Sequence, residues 1–439
     1  MLDIKFIREN KDIIKEGARK KHVDFDVDNL LLMDDRRLEL SKEVELKRQE
    51  YNKLADEINE LSDESKRQNL VILAKAMKGG LQKKEAILKE IITKWQHLMV
   101  EVPNIPDMSV PEGKTDAENR EERTWGEIPN FSFSVKNQID LMEELEMVDF
   151  ERGAKVAGSG GYFLKNAGVM FSFALWQYVL DEMTKKDFVP FIVPALVNRS
   201  PFIGTGYLPQ GEENLYKTED NMYFSSSGEV ATMAYYMDEI LQEKDLPKKF
   251  VSFSPCFGKD TENQEDNDKS LVRANNFFKL EQFVLCEANH MTSMSLHEDL
   301  TKNAEEIIQS LKIPYRVTVS CGGNLGLGQV KKYNIETWVP SEKKYRESYS
   351  SSYFHDFQTR RLNIRYKDSF GKLRFVHSVS NTTIPSPQLL ASIIENYQQE
   401  DGTILVPEVL QKYMGKKIIG ELKEEPSIVQ KNIDNLILV

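Results

Sequence analysis

Over residues 34–101, apolar positions recur by fours and threes. Leu40, Val44, Lys47, Tyr51, Leu54, Ile58 and Leu61 form one series; Met77, Leu81, Lys84, Leu88, Ile91, Trp95 and Leu98 form a second. That spacing is the a/d seam of a coiled coil. The stretch has no proline, and its glycines are the pair Gly79 and Gly80. Residues 62–69, "SDESKRQN", carry no stripe. The pattern therefore predicts two antiparallel helices joined by a turn there. A helix of about 35 residues spans roughly 50 Å, too thin to own a globular core, so the pair should project as an arm. Two uses stay open, a dimerisation coiled coil or a reach toward a large partner. Its lysines and arginines alternate with acids and read mostly as solvated surface; those near the tip, Lys66 and Arg67, suit phosphate contacts.

Pro103, Pro106 and Pro111, followed by polar residues, end the helical pattern and predict a linker over 103–127. The body is expected from about Ile128. "GVMFSFALWQYVLDEMTKK" (168–186) reads as an amphipathic helix. "FVPFIVPALVN" (188–198) reads as an edge or interface strand, because its prolines cannot serve a central ladder. "KKFVSFSPCF" (248–257) and "FFKLEQFVLCE" (277–287) alternate as strands, and residues 362–380 read as a hairpin turning at 368–371. In "SPQLLASIIENYQQEDG", Ser386 is the expected N-cap, Pro387 the first helical residue, and Leu389, Leu390, Ile393 and Ile394 the buried stripe. Hairpins interspersed with helices predict an α+β domain, an antiparallel sheet packed on helices. The tail, 420–439, stands apart.

The chain's 439 residues exceed one small core and predict two or three domains. A net charge of −12 argues against a general nucleic-acid coat while leaving room for a local basic patch. Cys256, Cys286 and Cys321 are widely spaced with no CxxC pair, which excludes a zinc knuckle or a disulfide framework. With no signal-like apolar start and no membrane-length apolar run, a cytoplasmic location is expected. "CGGNLGLGQ" (321–329) lacks an intact GxGxxG ahead of a helix, so it does not read as a dinucleotide cradle. "KVAGSGGYF" (155–163) reads as a tight turn. The loop between the strands at 248–257 and 277–287 is acidic, with Asp260, Glu262, Glu265, Asp266 and Asp268. Loops of that length between strands commonly handle a ligand.

Several long collinear stretches resemble the seryl-tRNA synthetase family of class II aminoacyl-tRNA synthetases. They are the helical arm, the proline-rich linker, "GTGYLPQGEENLYKTEDNMYF" (204–224), "DEILQEKDLP" (238–247), "YNIETWVP" (333–340), "YRESYSSSYFHDFQTRRLNIRY" (345–366) and "IIENYQQEDGTILVPEVLQKYMG" (393–415). The resemblance covers Met1 to about Gly415. It implies a class II antiparallel sheet of six to seven strands, over 128–419, and an arm within 1–102 that grips tRNA, of the serine type. It also implies a homodimer built partly on motif 1 around Pro194. The implied reaction joins serine and ATP, with Mg²⁺, into seryl-adenylate and then moves the seryl group to tRNA.

Carried over position by position, the resemblance makes Phe277 the adenine-stacking residue and Arg273 a phosphate contact. Glu347 and Ser350 become metal ligands, and Glu281 and Thr382 hold serine's amino and hydroxyl groups. Ser227 and Glu229 belong to an acidic "SGE" element where the family has "TAE". Bland roles stay open for some: strand core for Phe277 and Phe278, fold-level ion pairs for Glu281 and Glu347, structural pairing for Arg360, Arg361 and Arg365. The departures are specific. Gly258 stands where the motif 2 arginine would grip the α-phosphate, Asp260 where its glutamate would stand, and Gln388 where the motif 3 arginine would hold the γ-phosphate. Lys259 and Lys269 flank the first gap but lack the guanidinium fork. Ser380 and Tyr353 stand where the family has asparagines. Loss of these cations predicts weak ordinary adenylation. Three readings follow: a divergent active synthetase, a non-catalytic or repurposed paralogue that binds tRNA or protein as a dimer, and a ligase serving another acceptor. Retention of the arm argues against the last.

Overall fold

The computed structural model describes residues 2–259, 271 and 274–420. Two short helices open the chain, α1 (Ile4–Glu9) and α2 (Lys11–Lys20), followed by the long α3 (Val27–Glu60) and α4 (Glu64–Glu101). The last two pack antiparallel, with Leu40, Val44, Leu54 and Leu81 buried in the seam. Arg48 bridges to Glu85 at 2.6 Å across the pair. Lys84, a seam position in the sequence, covers the interface with its stem and pairs its ammonium with Glu43. The pairing begins seven residues earlier than the periodicity suggests, because Asp26 caps α3 by accepting from the Asn29 N–H. The turn is also tighter than expected. It comprises Leu61–Asp63, and Asp63 caps α4 at once, so residues 64–69 are helical despite their polarity. At the root, Ile7, Ile14, Val27, Leu30, Met99 and Val102 form a small core of their own.

Eight strands make the main sheet: β1 (Arg120–Trp125), β2 (Val189–Ile192), β3 (Lys248–Phe257), β4 (Asn276–Cys286), β5 (Tyr315–Val319), β6 (Lys331–Val339), β7 (Lys344–His355) and β8 (His377–Pro385). Their order is β1-β5-β6-β7-β8-β4-β3-β2. All neighbours are antiparallel except β2 and β3. The count exceeds the six or seven expected. One reason is β1, which lies within the stretch read as a linker: the charged "REERTW" pairs with β5 as an exposed edge strand. Charge on an edge is compatible with pairing on one side, and it discourages pairing on the other. The prolines of 188–198 behave as expected, since β2 is the opposite edge. The 365–375 hairpin forms, with the Gly371 N–H reaching the Asp368 carbonyl, but it belongs to a separate three-stranded sheet.

Three helices cover one face of the sheet: α5 (Ala167–Thr184), α6 (His290–Ser310) and α7 (Ser386–Asn396). Leu175, Val179, Ile307, Ile308, Leu389 and Ile393 pack there against Val251, Leu280, Val284, Ile335, Tyr349 and Val379. The start of α7 differs by one residue from expectation. Pro385 is the cap, and Ser386, already helical, accepts from Trp176 Nε1 at 2.6 Å. The trade replaces a backbone cap with a tie between α5 and α7.

The glycine-rich 321–329 run serves packing. A Cβ at Gly322 would sit 1.9 Å from the Lys20 carbonyl oxygen, and one at Gly328 would meet the Phe357 ring at 2.5 Å. Gly322 lets the end of α2 seat on the body, and Gly328 admits the Phe357 ring within the body. Gly322→Ala should therefore lower stability by about 1–3 kcal/mol in urea unfolding, the usual cost of overpacking.

Candidate functional site

Strand alternation builds the site. On β3 and β4, Ser252 pairs with Glu281, Ser254 with Lys279 and Cys256 with Phe277. Their partners of opposite parity, such as Val251 and Leu280, enter the core. The uncovered face is thus small, hydroxylated and charged, while the covered face is large and apolar. On β8, Thr382 lies opposite Glu281, and Ser380 lies opposite Ser352 of β7.

Ser227, Glu229, Glu281, Ser350 and Thr382 line one polar cavity of about 250 Å³. The structure adds Lys279, Tyr207, Gln329, Ser352, Ser380 and Asn381 to its wall. Glu281 is buried. It accepts from Ser227 Oγ at 2.9 Å and from the Gly228 N–H at 2.7 Å, where Ser227 caps the short helix Gly228–Met233. Glu229 projects from the same helix start. Gln358 donates to it at 2.5 Å and Ser380 at 3.4 Å. Ser378 in turn donates to Gln358 at 2.8 Å, which fixes the carboxamide's orientation. Burial, reinforced by Glu281, pushes the Glu229 carboxyl up to about 7. Burial pulls the Lys279 ammonium down, but Glu281, Cys256, Glu229 and Glu347 outweigh it and leave its pKa raised. The cavity thus combines two carboxyl groups, one ammonium and a ring of hydroxyls.

Glu347 and Ser350 are three apart and would face opposite ways in a regular strand. A bulge returns them to one face of β7: Tyr349 pairs with Ile335, but Glu347, not Ser348, pairs with Glu336. The Glu347 carboxylate is 44% exposed and lies 3.4 Å from Lys332. It does not line the cavity, although Lys279 feels its charge. Phe277 is half-buried on the cavity's side of β4, with Lys279 Nζ 5.4 Å from its ring. Phe278 faces the other way and stacks on Phe253 at 5.3 Å. A Cβ at Gly258 would meet nothing within 4 Å among the described residues. Gln388 sits in the first turn of α7, and its carboxamide oxygen is buried without a partner among the described residues. Asp260, Arg273, the rest of the acidic loop with Lys269, and the tail beyond Gly420 lie outside the described residues. Arg360 pairs with Asp356 and Asp3, whereas Arg361 spends its donors on the Ile203 and Val100 carbonyls. Among the described residues, no group of three or more histidine, cysteine or acidic side chains is placed to hold a metal. No helix among them is long and apolar enough to cross a membrane.

Lys279 was legible in the sequence, since it lies midway between Phe277 and Glu281 in an alternating strand. Gln329 and Tyr207 had no such signal; they arrive from loops far away in the chain.

Comparison with known proteins agrees with this architecture. Residues 1–106 match the seryl-tRNA synthetase N-terminal domain, and residues 214–397 match the class II tRNA synthetase core domain (G, H, P, S and T). A serine–tRNA ligase of Deinococcus radiodurans is 39% identical over 423 residues, 96% of this chain and 99% of the relative. Seryl-tRNA synthetase of Pyrococcus horikoshii, solved with ATP, superposes with a TM-score of 0.84 at 35% identity, covering 95% of this chain and 99% of that one. A cytoplasmic enzyme of Naegleria fowleri, solved with AMP, gives 0.82 at 26% identity, covering 95% and 98%. With near-complete coverage of its relatives and both domains in the family's order, the chain belongs to the seryl-tRNA synthetase family.

Proposed function

We propose that the polar cavity holds serine, and that the protein is a serine–tRNA ligase-type scaffold whose adenylation step is weak. The observation that carries this reading is the buried Glu281 with half-buried Glu229 and Lys279, set together among hydroxyls in one cavity. Hydrogen-bonding a substrate hydroxyl discriminates strongly, because analogues without it leave buried polar groups unpaired. Glu281 and Glu229 receive the ammonium, Thr382 faces the hydroxyl, and Lys279 balances the carboxylates. ATP, bound in the Pyrococcus relative, would stack its base on Phe277 and lead its α-phosphate toward the serine carboxylate. Positioning and charge neutralisation supply most of the rate in such in-line substitution.

Mg²⁺ fits the donor set as a partly protein-held ion, with Glu347, Ser350 and phosphate oxygens as ligands. When bound it neutralises phosphate charge. The chain's own cations are deficient where the family's arginines stand, at Gly258 and Gln388, and no described residue replaces both forks. Serine-dependent ATP–pyrophosphate exchange should therefore run near background. Robust exchange by the purified protein refutes the weak-adenylation reading.

The remaining partners follow from the same family reading. The arm would hold tRNA, tested by filter retention of labelled tRNA with and without residues 34–101. A second copy would cover Met170, Phe173, Val189 and Ile192, exposed apolar residues on α5 and the β2 edge.

Glu229 gives a pH dependence. Below about 7 it carries a proton and cannot accept an ammonium as a carboxylate. Serine affinity should thus rise as pH increases through 7, by about tenfold per unit on the acid side. Calorimetric titration from pH 5.5 to 8 reads this, and Glu229→Gln should flatten the profile.

A further inference from the structure

Lys21 follows α2 and is 3% exposed, and among the described residues no carboxylate pairs with it. Its Nζ donates to three backbone carbonyls of the body: Gly326 at 3.0 Å, Leu327 at 2.9 Å and Gln329 at 2.6 Å. Three acceptors satisfy the three N–H donors of an ammonium. Burial nonetheless pushes its pKa well down, so this is a costly way to join two parts of a chain. Asn104, also buried, reinforces the same turn. Its backbone N–H donates to the Leu327 carbonyl and its Nδ2 to the Gly328 carbonyl, each at 2.9 Å.

The turn's other end reaches the cavity. Gln329 Oε1 accepts from the Gly326 N–H at 2.7 Å, and Nε2 donates to Ser352 Oγ at 2.9 Å. Both Gln329 and Ser352 line the cavity. A carboxamide has two N–H donors, and the bond to Ser352 uses one. The second can meet an oxygen of a bound amino acid.

We infer that Lys21 is a positioning residue that sets the 326–329 turn, and that Gln329 is thereby a specificity-determining residue of the amino-acid cavity. Lys21, with Asn104 on the same turn, joins the root of the helical arm to the substrate pocket. The inference rests on the reading of the cavity as a serine site and adds a residue from outside it.

A double-substitution cycle on the full chain tests it, with serine binding read by calorimetry for the native protein, Lys21→Met, Gln329→Ala and the pair. Each single change should weaken serine by about tenfold, the equivalent of one lost hydrogen bond. The pair should be no weaker than Gln329→Ala alone, because Lys21 acts through Gln329. Additive losses overturn the inference. Hydrogen exchange over 321–334 gives a second readout that needs no ligand. Lys21→Met should speed exchange there, and unchanged protection also overturns it. Absence of serine binding by the native protein would sink the serine reading separately, while exchange still decides whether Lys21 holds the turn. If Lys21→Met does not fold, Lys21→Arg, which keeps the charge but misplaces its donors, serves in the same cycle.

Discussion

Gly258→Arg combined with Gln388→Arg should raise serine-dependent ATP–pyrophosphate exchange by about 10²–10³-fold over the native chain. The magnitude is that of restoring a preorganised charge contact at a developing anion. Position 258 accepts a Cβ, which meets nothing within 4 Å among the described residues, and the residue is not among the positive-φ glycines. Its backbone N–H bonds to the Asn275 carbonyl at the end of β3, which keeps the strand end in place. Position 388 lies in the first turn of α7, where the present carboxamide oxygen has no partner among the described residues, so its replacement breaks no hydrogen bond of that atom to them. The two changes act on one triphosphate, so their effects need not multiply. Steady-state exchange with each single and the double variant is the measurement. No gain in the double variant would mean that weak adenylation has a cause other than missing guanidinium groups.

The second large effect is expected at Glu281. Glu281→Ala should abolish measurable serine binding and cost about 1–3 kcal/mol of stability, the range for leaving buried donors unpaired. The carboxylate holds Ser227 and the Gly228 N–H in place and is the leading charge that keeps Lys279 protonated. Adding Lys279→Met should restore much of the stability, because the orphaned ammonium is gone, while leaving binding absent. Urea unfolding and calorimetry on the same samples separate the two effects. A Glu281→Ala protein that unfolds like the native chain would show that the ammonium never depended on this partner. One that still binds serine tightly would remove Glu281 from the site.

The two departures at Gly258 and Gln388 and the cavity bear on each other. Selection for a small hydroxylated amino acid requires the wall of carboxylates and hydroxyls, and that wall is assembled. On the proposed reading, activation requires cations at the phosphates, which Gly258 and Gln388 do not supply. The exchange assay and the calorimetry test chemistry and binding separately, and are informative as a pair.

The seam of the arm, the strands at 248–257 and 276–286, the buried stripe of α7 and the residue types of the site were all legible from local pattern. Each depends on a period of 2, or of 3.5 to 3.6, that one segment carries alone. Tertiary structure decided what no local period encodes. It made an edge strand of charged residues 120–125, because pairing needs only a partner with free backbone groups. It turned Glu347 to the same face as Ser350 through a bulge, which depends on the register of β7 against β6. It placed Gln329 and Tyr207 in the cavity and Lys21 beneath the glycine-rich turn, contacts between residues up to about 300 positions apart. Such contacts are set by how finished elements pack, and packing is a property of the whole chain.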